Sequence, residues 1–492
     1  MKMRKDLRRR LALLLTFGIV MTSWGGAVQN IYAEEDTDMS MRVQETKVYT
    51  DGEEAGELTL RFYDETPHVP YLGICAYSQY MKLQPLNLKK NRDGTFALVN
   101  GIGEELFCDP DAGVIVVKDW NRFFDMPLPL EDEAKGWKDT TVHYARITNV
   151  KFEGDPEEVT LDFSKYGIRI YADENDIYLP VSTLSNILTD IATNHILYNG
   201  ENLYVQRESI DGSPIEGLYD SEAFRAKIEG EARPDDIMKQ CYADLCFNFD
   251  HFFGHPGKAR LDKALAEKGL DQELADLGEE GNSIKEGLLS SDFSEYVSAM
   301  LKLFMIYLSD GHTVFIGGMT LLSSPAAREN PLFSNGLGIS STLDILQNPE
   351  ALKQVLHMVI EQQREAAWGS DVYRESGNTA IIRLDSFMPD EDAWANYYAG
   401  EGDFPEDSLG IVVAGLRKAA DNPDIENVIF DLSCNGGGSP DVMMAILAMT
   451  TGQEQLLGRQ KITGQTMKFT FEADTNFDGV YDEKDKEVTN YK

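Results

Sequence analysis

The chain has 492 residues, 42% of them hydrophobic, so it can bury a core in roughly two to four domains. Its 83 acidic residues outnumber its 45 basic ones and give a net charge of −38, which repels nucleic acid and excludes it as a partner. Five cysteines are too few for a disulfide framework, and their odd number leaves at least one unpaired.

The first 33 residues predict a secretory signal peptide. A basic head from Lys2 to Arg10 precedes the apolar run LALLLTFGIVMTSW, and IYA supplies a small residue before Glu34. The run is too short to span a bilayer comfortably, so we expect cleavage and no stable membrane anchor; an uncleaved N-terminal anchor is the alternative. The protein is therefore expected to be secreted or extracellular, where calcium is abundant and its surplus carboxylates can bind it.

Residues 34–230 predict an α+β accessory module with two related strand–helix–strand units. VPYLGICAYSQYM, from Val69, and IYLPVSTLSNILTDI, from Ile177, each place a proline-containing strand ahead of an amphipathic helix. The pattern resembles the copper amine oxidase N-terminal-like modules, which are accessory domains of surface proteins. The resemblance implies a spacer or a module that contacts the cell wall or cell surface, and it implies no catalysis.

Residues 231–317 predict a helical subdomain. DIMKQCYADLCFNFDHFF and DFSEYVSAMLKLFMIYLSD repeat apolar residues at i, i+3, i+4 and i+7. His251 and His255 have a spacing that can bind a metal on one helix face, but GHPG breaks the helix at His255, which favours a helix end. Cys241 and Cys246 diverge around their helix, so we expect buried thiols and neither a disulfide nor a zinc site.

In residues 318–492 strands alternate with helices, which predicts a layered α/β domain. The strand TAIIRLDSFM is followed by the helix DSLGIVVAGLRKAAD and the strand NVIFDL. This last strand runs into three glycines, and Ser439, Pro440 and Asp441 then form a helix start with Ser439 as the N-cap. Residues 433–438 are referred to below as the glycine turn.

Consecutive glycines occur where the backbone bends sharply or approaches another molecule closely. The glycine turn could cradle a phosphate or form an oxyanion hole from bare backbone N–H groups; a purely structural turn is the third interpretation. The spacing matches neither the P-loop nor the dinucleotide motif, which weighs against phosphate. The N-cap role accounts for Ser439, and no general base lies near Ser433 in the sequence, so neither serine is favoured as a nucleophile.

A second motif, YLSDGHTVFIGG, closes the helical subdomain. Its Asp-Gly turn places His312 immediately before an apolar strand, and a histidine in such a position can act as a general base. Judged from these residues alone, a histidine in this setting is more often structural than catalytic.

The two motifs together indicate a protein family more specifically than either motif does alone. LSDGHT, followed about 120 residues later by VIFDLSCNGGG, resembles the tail-specific (carboxyl-terminal processing) serine peptidase family in its tricorn-like branch. The resemblance covers roughly residues 235–492 and implies a ClpP/crotonase-like fold that hydrolyses a peptide or protein substrate without a cofactor. It implies that His312 is the general base and that the backbone N–H of Gly437 or Gly438 supplies part of the oxyanion hole.

In that family the nucleophilic serine lies beyond the glycine motif, at a later strand-to-helix turn. No serine follows Ser439 here, so we expect a core that is incomplete at its C-terminus and inactive as written, either part of a longer sequence or a truncated relative. The alternative is a non-catalytic secreted protein that binds peptides or surfaces on the same scaffold. A crotonase-like acyl enzyme is a weaker option, because its coenzyme A substrates are cytoplasmic.

The segment DTNFDGVYDEKD, residues 474–485, predicts a structural calcium ion bound by a loop. Gly479 takes the turn position, and the expected ligands are Asp474, Asn476, Asp478, the carbonyl of Val480, Asp482 and Asp485. Phe477, Tyr481 and the final Asp485 depart from the usual loop, and the flanks predict strands instead of EF-hand helices. An acidic hairpin loop is the alternative, and the short Asp485 predicts weak binding suited to millimolar calcium.

Overall fold

The computed structural model describes residues 18–20, 40–50, 53–81, 85–124, 144–192, 194–207, 232–254, 262–308, 314–316 and 349–486. Across these ranges the protein is mixed α/β, with several sheets and twelve α-helices. None of the described helices is long and apolar enough to cross a membrane. His312 and His255 lie outside the described residues, so the structure does not place the predicted general base.

The N-terminal part of the chain has two sheets that contain all its described strands except Gly18–Val20 and Ala145–Glu153, which pair with strands from later in the chain. Its elements are β1 (Gly18–Val20), β2 (Met41–Thr50), β3 (Glu53–Tyr63), β4 (Tyr71–Gly73), α1 (Ile74–Tyr80), β5 (Asn87–Lys90), β6 (Phe96–Val99), β7 (Glu105–Asp109), β8 (Val114–Val117), α2 (Trp120–Phe123), β9 (Ala145–Glu153), β10 (Val159–Asp162), a 3₁₀ turn (Phe163–Tyr166), β11 (Tyr171–Ala172), β12 (Ile177–Pro180), α3 (Val181–Ala192), β13 (Asn194–Tyr198) and β14 (Leu203–Arg207). The seven-stranded sheet has the order β11-β12-β4-β3-β2-β14-β13, and the five-stranded sheet has the order β10-β8-β7-β6-β5. One apolar core, which includes Leu60, Leu98 and Trp120, draws residues from both sheets.

Both predicted strand–helix units are present, β4 with α1 and β12 with α3, and their strands pair antiparallel. The carboxylate of Asp176 accepts hydrogen bonds from the N–H groups of Cys75 (2.8 Å) and Ala76 (2.9 Å), so the second unit satisfies the start of the first unit's helix. Gly73 leaves room for this contact, since a Cβ there would lie 2.1 Å from an Asp176 oxygen. The two units are therefore parts of one sheet.

The next part is helical, as predicted. It comprises α4 (Asp235–His251), α5 (Asp262–Lys268), α6 (Leu270–Asp276), α7 (Glu279–Leu288), α8 (Phe293–Lys302), a π-helical turn (Leu303–Tyr307) and β15 (Val314–Ile316), which pairs in parallel with β1. The first helix already ends at His251. Cys241 and Cys246 are buried free thiols, which confirms that prediction.

The C-terminal part contains the predicted alternation of strands and helices. Its elements are α9 (Pro349–Trp368), β16 (Tyr373–Ser376), β17 (Thr379–Arg383), α10 (Glu391–Ala399), α11 (Ser408–Asp421), β18 (Asn427–Asp431), α12 (Pro440–Thr451), β19 (Gln455–Arg459) and β20 (Thr466–Ala473). The strands β17 and β18 pair in parallel with α11 between them in the chain, which is a β–α–β crossover. A layered α/β arrangement is therefore present, with a core that includes Ile382, Trp394 and Val412.

One strand crosses the domain boundary that the sequence predicted at residue 230. The strand β9 pairs antiparallel with β20, from Glu153 opposite Thr466 to Ala145 opposite Ala473. Ile147 of β9 lies in the same apolar core as the C-terminal helices. The N-terminal part thus contributes one strand of the C-terminal sheet β19-β20-β9.

Candidate functional site

The glycine turn is held against the end of β17. After β18 the chain leaves the sheet and returns beside residues 385–387. There Gly436 N–H donates to the carbonyl of Asp385 (3.2 Å), Phe387 N–H donates to the carbonyl of Gly437 (2.8 Å), and Ser439 N–H donates to the carbonyl of Phe387 (2.6 Å). These three backbone hydrogen bonds fix the turn on one strand end.

The position of Gly438 requires glycine. Its φ is +140°, and a Cβ at this residue would lie 2.3 Å from the carbonyl oxygen of Phe387. Gly437 also has a positive φ, +103°, but nothing lies within 4 Å of a Cβ built there. Gly436 has an ordinary φ and the same open surroundings. The need for a bare backbone is therefore strongest at Gly438.

The two predicted oxyanion donors differ in what they bind. Gly437 N–H donates to Oδ1 of Asn435 (2.8 Å), and Nδ2 of Asn435 donates in turn to the carbonyl of Leu384 (2.9 Å). Gly438 is exposed, and its N–H donates to no atom of the described residues. Of the two, Gly438 N–H is the one left open to a ligand.

A cluster of charged side chains lies where β17 and β18 end. Arg364 of α9 donates to Asp385 and to Oγ of Ser433 (3.1 Å), and it lies 3.6 Å from Asp431. Arg383 donates its Nε–H to the other oxygen of Asp385 (2.6 Å). Burial would raise the pKa of Asp385, but the hydrogen bonds from Arg383 and Arg364 hold that pKa below its usual range.

The two serines beside the turn have structural partners. Oγ of Ser433 donates to Asp431 (2.6 Å) and accepts from Arg364. Oγ of Ser439 accepts from Asp441 N–H (3.2 Å) at the start of α12, which confirms its predicted N-cap role. Among the described residues, neither hydroxyl contacts a histidine, so the structure does not assign either one as a nucleophile.

A cavity of about 450 Å³ opens beside the end of β17. Two of the charged residues that line the cavity, Arg383 and Asp385, form an ion pair with each other, which reduces the net charge of the lining. The residues of the glycine turn do not line it. Its polar lining includes Glu361, Glu365, Ser370, Arg383, Ser386 and Ser408.

The other histidine of interest, His251, is partly buried at the end of α4. Burial lowers its pKa to about 4, so its imidazole is neutral at physiological pH. Its Nε2 lies 3.4 Å from the hydroxyl of Tyr166, which also donates to Asp250 (2.8 Å). Because His255 is not described, the structure does not test the predicted metal-binding pair.

The loop at residues 474–485 begins where β20 ends, so its first flank is a strand, as predicted. Asp474 is fully buried, and its carboxylate accepts hydrogen bonds from Gly479 N–H (2.8 Å), Asp478 N–H (3.2 Å) and the hydroxyl of Tyr398 (3.1 Å). Burial raises the pKa of Asp474. Phe477 holds a left-handed φ of +60° while its ring packs in the core. The backbone therefore curls around the Asp474 carboxylate.

The other ligands that are predicted to bind through their side chains also accept hydrogen bonds from backbone N–H groups. Asn476 accepts from Asp478 N–H (2.8 Å), and Asp478 accepts from Val480 N–H (2.9 Å). One oxygen of Asp485 accepts from Asp482 N–H (2.8 Å). Over the described part of the chain, no group of three acidic, histidine or cysteine side chains is arranged to hold a metal ion. Calcium binding by this loop stays a prediction.

Two residues at the site were not singled out from the sequence. Asn435 directly precedes the glycines, and its capacity to hydrogen-bond the backbone two residues on is a signal that could have identified it. Arg364 is 69 residues away from its partner Ser433 in the chain, and no local pattern marks it.

Comparison of the chain with family models, with curated proteins and with solved structures finds no match. The resemblance to the tail-specific peptidases therefore rests on the motifs around His312 and the glycine turn.

Proposed function

We propose that this is a secreted protein of the serine-peptidase type, in which Gly438 N–H binds the carbonyl oxygen of an extended peptide. The observation that carries the proposal is the state of Gly438: its backbone conformation disfavours a side chain, the residue is exposed, and its N–H has no partner among the described residues. A rigid, unpaired backbone donor suits an oxygen that gains negative charge during acyl transfer.

The surroundings favour a peptide carbonyl over a phosphate. Phosphate sites at helix starts use several N–H groups and basic side chains. Here Pro440 removes one donor from the start of α12, and Ser439 satisfies another. Arg364 and Arg383 are both bound to Asp385. One open N–H and no open cation among these groups fit a neutral carbonyl oxygen.

The adjoining strand favours an extended ligand. In the described sheet β16-β17-β18, the strand β18 lies at the edge. Val428 and Ile429 on this strand are 37% and 51% exposed. An edge strand offers unpaired N–H and C=O groups to a chain that lies alongside it, as in many peptide-binding proteins.

Two versions of the proposal differ in chemistry. In the first, His312 acts as the general base and Gly438 N–H stabilises the oxyanion, while the nucleophile is not assigned to a residue of this chain. In the second, the protein binds peptides without cleaving them. The structural roles of Ser433 and Ser439 favour the second version for the residues described.

Fluorescein-labelled casein, an unfolded polypeptide, tests both versions in one sample. Fluorescence anisotropy reports binding, and acid-soluble fluorescence reports cleavage. We expect the wild-type protein to bind and Gly438→Ala to bind about tenfold more weakly, because the clash of the new Cβ with the Phe387 carbonyl moves the N–H away from the ligand and costs about one hydrogen bond. Gly436→Ala is the matched control and should bind normally, because a Cβ there meets nothing within 4 Å. Wild-type protein that neither binds nor cleaves casein would refute the proposal.

The variant His312→Ala separates the two versions. If wild-type protein cleaves casein and this variant binds it without cleaving, His312 is the general base. If wild-type protein binds casein without cleaving it, the non-catalytic version holds.

A further inference from the structure

We infer that Arg364 is a positioning residue that sets the direction of Gly438 N–H toward the peptide carbonyl. The inference rests on the function proposed above and adds a residue to that site. Among the described residues, Arg364 makes no hydrogen bond to Gly436, Gly437 or Gly438. It acts through the strand ends that hold the glycine turn.

The guanidinium of Arg364 joins both strands. On the β17 side it donates to the carboxylate of Asp385. On the β18 side it donates to Oγ of Ser433 (3.1 Å) and lies 3.6 Å from Oδ2 of Asp431. A planar guanidinium can contact several acceptors at once in fixed directions. One side chain thus links the end of β17 to the start of the glycine turn, next to the backbone hydrogen bond from Leu384 N–H to the carbonyl of Asp431 (3.1 Å).

Backbone hydrogen bonds connect the strand ends to the residues on either side of Gly438. The carbonyl of Asp385 accepts from Gly436 N–H (3.2 Å), two residues before Gly438. On the far side, Phe387 is bound through its N–H and its carbonyl to the residues that flank Gly438. If the strand ends shift, the peptide plane of Gly438 rotates with them.

Arg364 also separates two like charges. Its side chain is only 8% exposed, and it lies between the carboxylates of Asp385 and Asp431, each of which disfavours the ionised form of the other. Without the guanidinium these carboxylates repel each other, and Oγ of Ser433 loses its donor. The expected result is a wider gap between the two strand ends, directly beneath the turn.

Arg383 supplies a matched control. It binds the same carboxylate of Asp385, but the other hydrogen bond of its guanidinium goes to the carbonyl of Gly369 (3.3 Å). Its backbone pairs with Asp431, yet within the described ranges its side chain makes no hydrogen bond to β18 or to the glycine turn. Removal of Arg383 therefore takes a cation away from Asp385 without breaking the link between the strands.

The test measures binding of labelled casein and thermal unfolding for Arg364→Met, Arg364→Lys and Arg383→Met. We expect Arg364→Met to weaken binding by about tenfold or more, and Arg383→Met to change it by less than about twofold. Arg364→Lys keeps the charge but loses the planar fork, so its affinity should lie between wild type and Arg364→Met.

A double-variant cycle with Gly438→Ala distinguishes positioning from a general loss of stability. If Arg364 acts through Gly438, the Arg364 substitution causes little further loss of binding once Gly438→Ala is present. Independent, additive losses would overturn the inference, as would normal binding by folded Arg364→Met. If Arg364→Met does not fold, the same cycle is run with Arg364→Lys. Failure of wild-type protein to bind casein would instead refute the proposed function itself.

Discussion

The backbone of Gly438 lies against the carbonyl of Phe387 so closely that a Cβ would come within 2.3 Å of the oxygen and 2.6 Å of the carbonyl carbon. Both atoms belong to the backbone, which cannot swing aside as a flexible side chain can. A parallel bridge between the two residues holds the contact in place. The fold therefore favours glycine at this position over any residue with a Cβ.

We predict that Gly438→Ala destabilises the protein by roughly 2–4 kcal/mol, because it combines a steric clash with an unfavourable φ. Gly437→Ala should cost less, about 1–2 kcal/mol, since only its φ is unfavourable. Gly436→Ala should be within about 0.5–1 kcal/mol of wild type. Urea unfolding of the three variants gives these free energies. Equal stabilities for Gly438→Ala and Gly436→Ala would contradict the described geometry.

We predict that millimolar calcium raises the thermal unfolding temperature by a few degrees through the loop at residues 474–485. The double substitution of Asp474 and Asp478 with alanine should abolish the shift. Glu483→Gln is the control, because this exposed residue lies in the loop but outside the predicted ligand set. Differential scanning fluorimetry with calcium, magnesium and EDTA measures the effect. An unchanged shift in the double variant would exclude this loop as the calcium site.

The sequence predicted the features that are encoded within a few neighbouring residues, and it missed the contacts between residues that are far apart in the chain. The strand before the glycine turn, the N-cap at Ser439 and the buried thiols of α4 follow from patterns within a few residues, and all are present. Arg364 at the strand ends depends on where α9 packs, which no local pattern encodes. The pairing of β9 with β20 joins residues more than 300 positions apart, such as Arg146 and Glu472 (2.6 Å). Such contacts depend on how all the elements of the core pack together.

The shared sheet predicts that the N-terminal part is needed for the C-terminal part to fold. Ile147 of β9 is 4% exposed and packs in the C-terminal core. We expect Ile147→Ala to lower the free energy of unfolding by about 2–4 kcal/mol. The exposed Asn149 on the same strand is the control, and Asn149→Ala should change stability by less than about 0.5 kcal/mol.

A fragment of residues 231–492 extends this test. It lacks β9, so β20 would keep β19 but lose its other partner strand, and part of the core would be exposed. We expect the fragment to show no cooperative unfolding and to be digested rapidly by proteases. A fragment that unfolds cooperatively, with an unfolding temperature near that of the full chain, would contradict the dependence on β9.

A buried carboxylate joins the N-terminal sheet to the helical part. Asp244 of α4 accepts hydrogen bonds from Ser182 and Thr183 of α3, both at 2.5 Å, and from Gln240 (3.0 Å). Burial raises its pKa to about 6, although these three hydrogen bonds oppose the shift. Tyr71 and Cys241 also face it, and burial raises the pKa of both, so they stay protonated below pH 8. Asp244 is therefore the group in this contact that titrates near neutrality.

The raised pKa predicts that this contact weakens as the pH rises. The folded state holds the proton up to about pH 6, whereas the unfolded chain loses it near its ordinary value of 3.8. Stability from this group is thus complete below pH 4 and lost as the pH rises through 6, by on the order of 2–3 kcal/mol. Asp244→Asn should remove this dependence, while the exposed Asp111→Asn should keep it. Urea unfolding at pH 4, 5, 6 and 7 gives the comparison; parallel curves for wild type and Asp244→Asn would show that Asp244 does not titrate in this range.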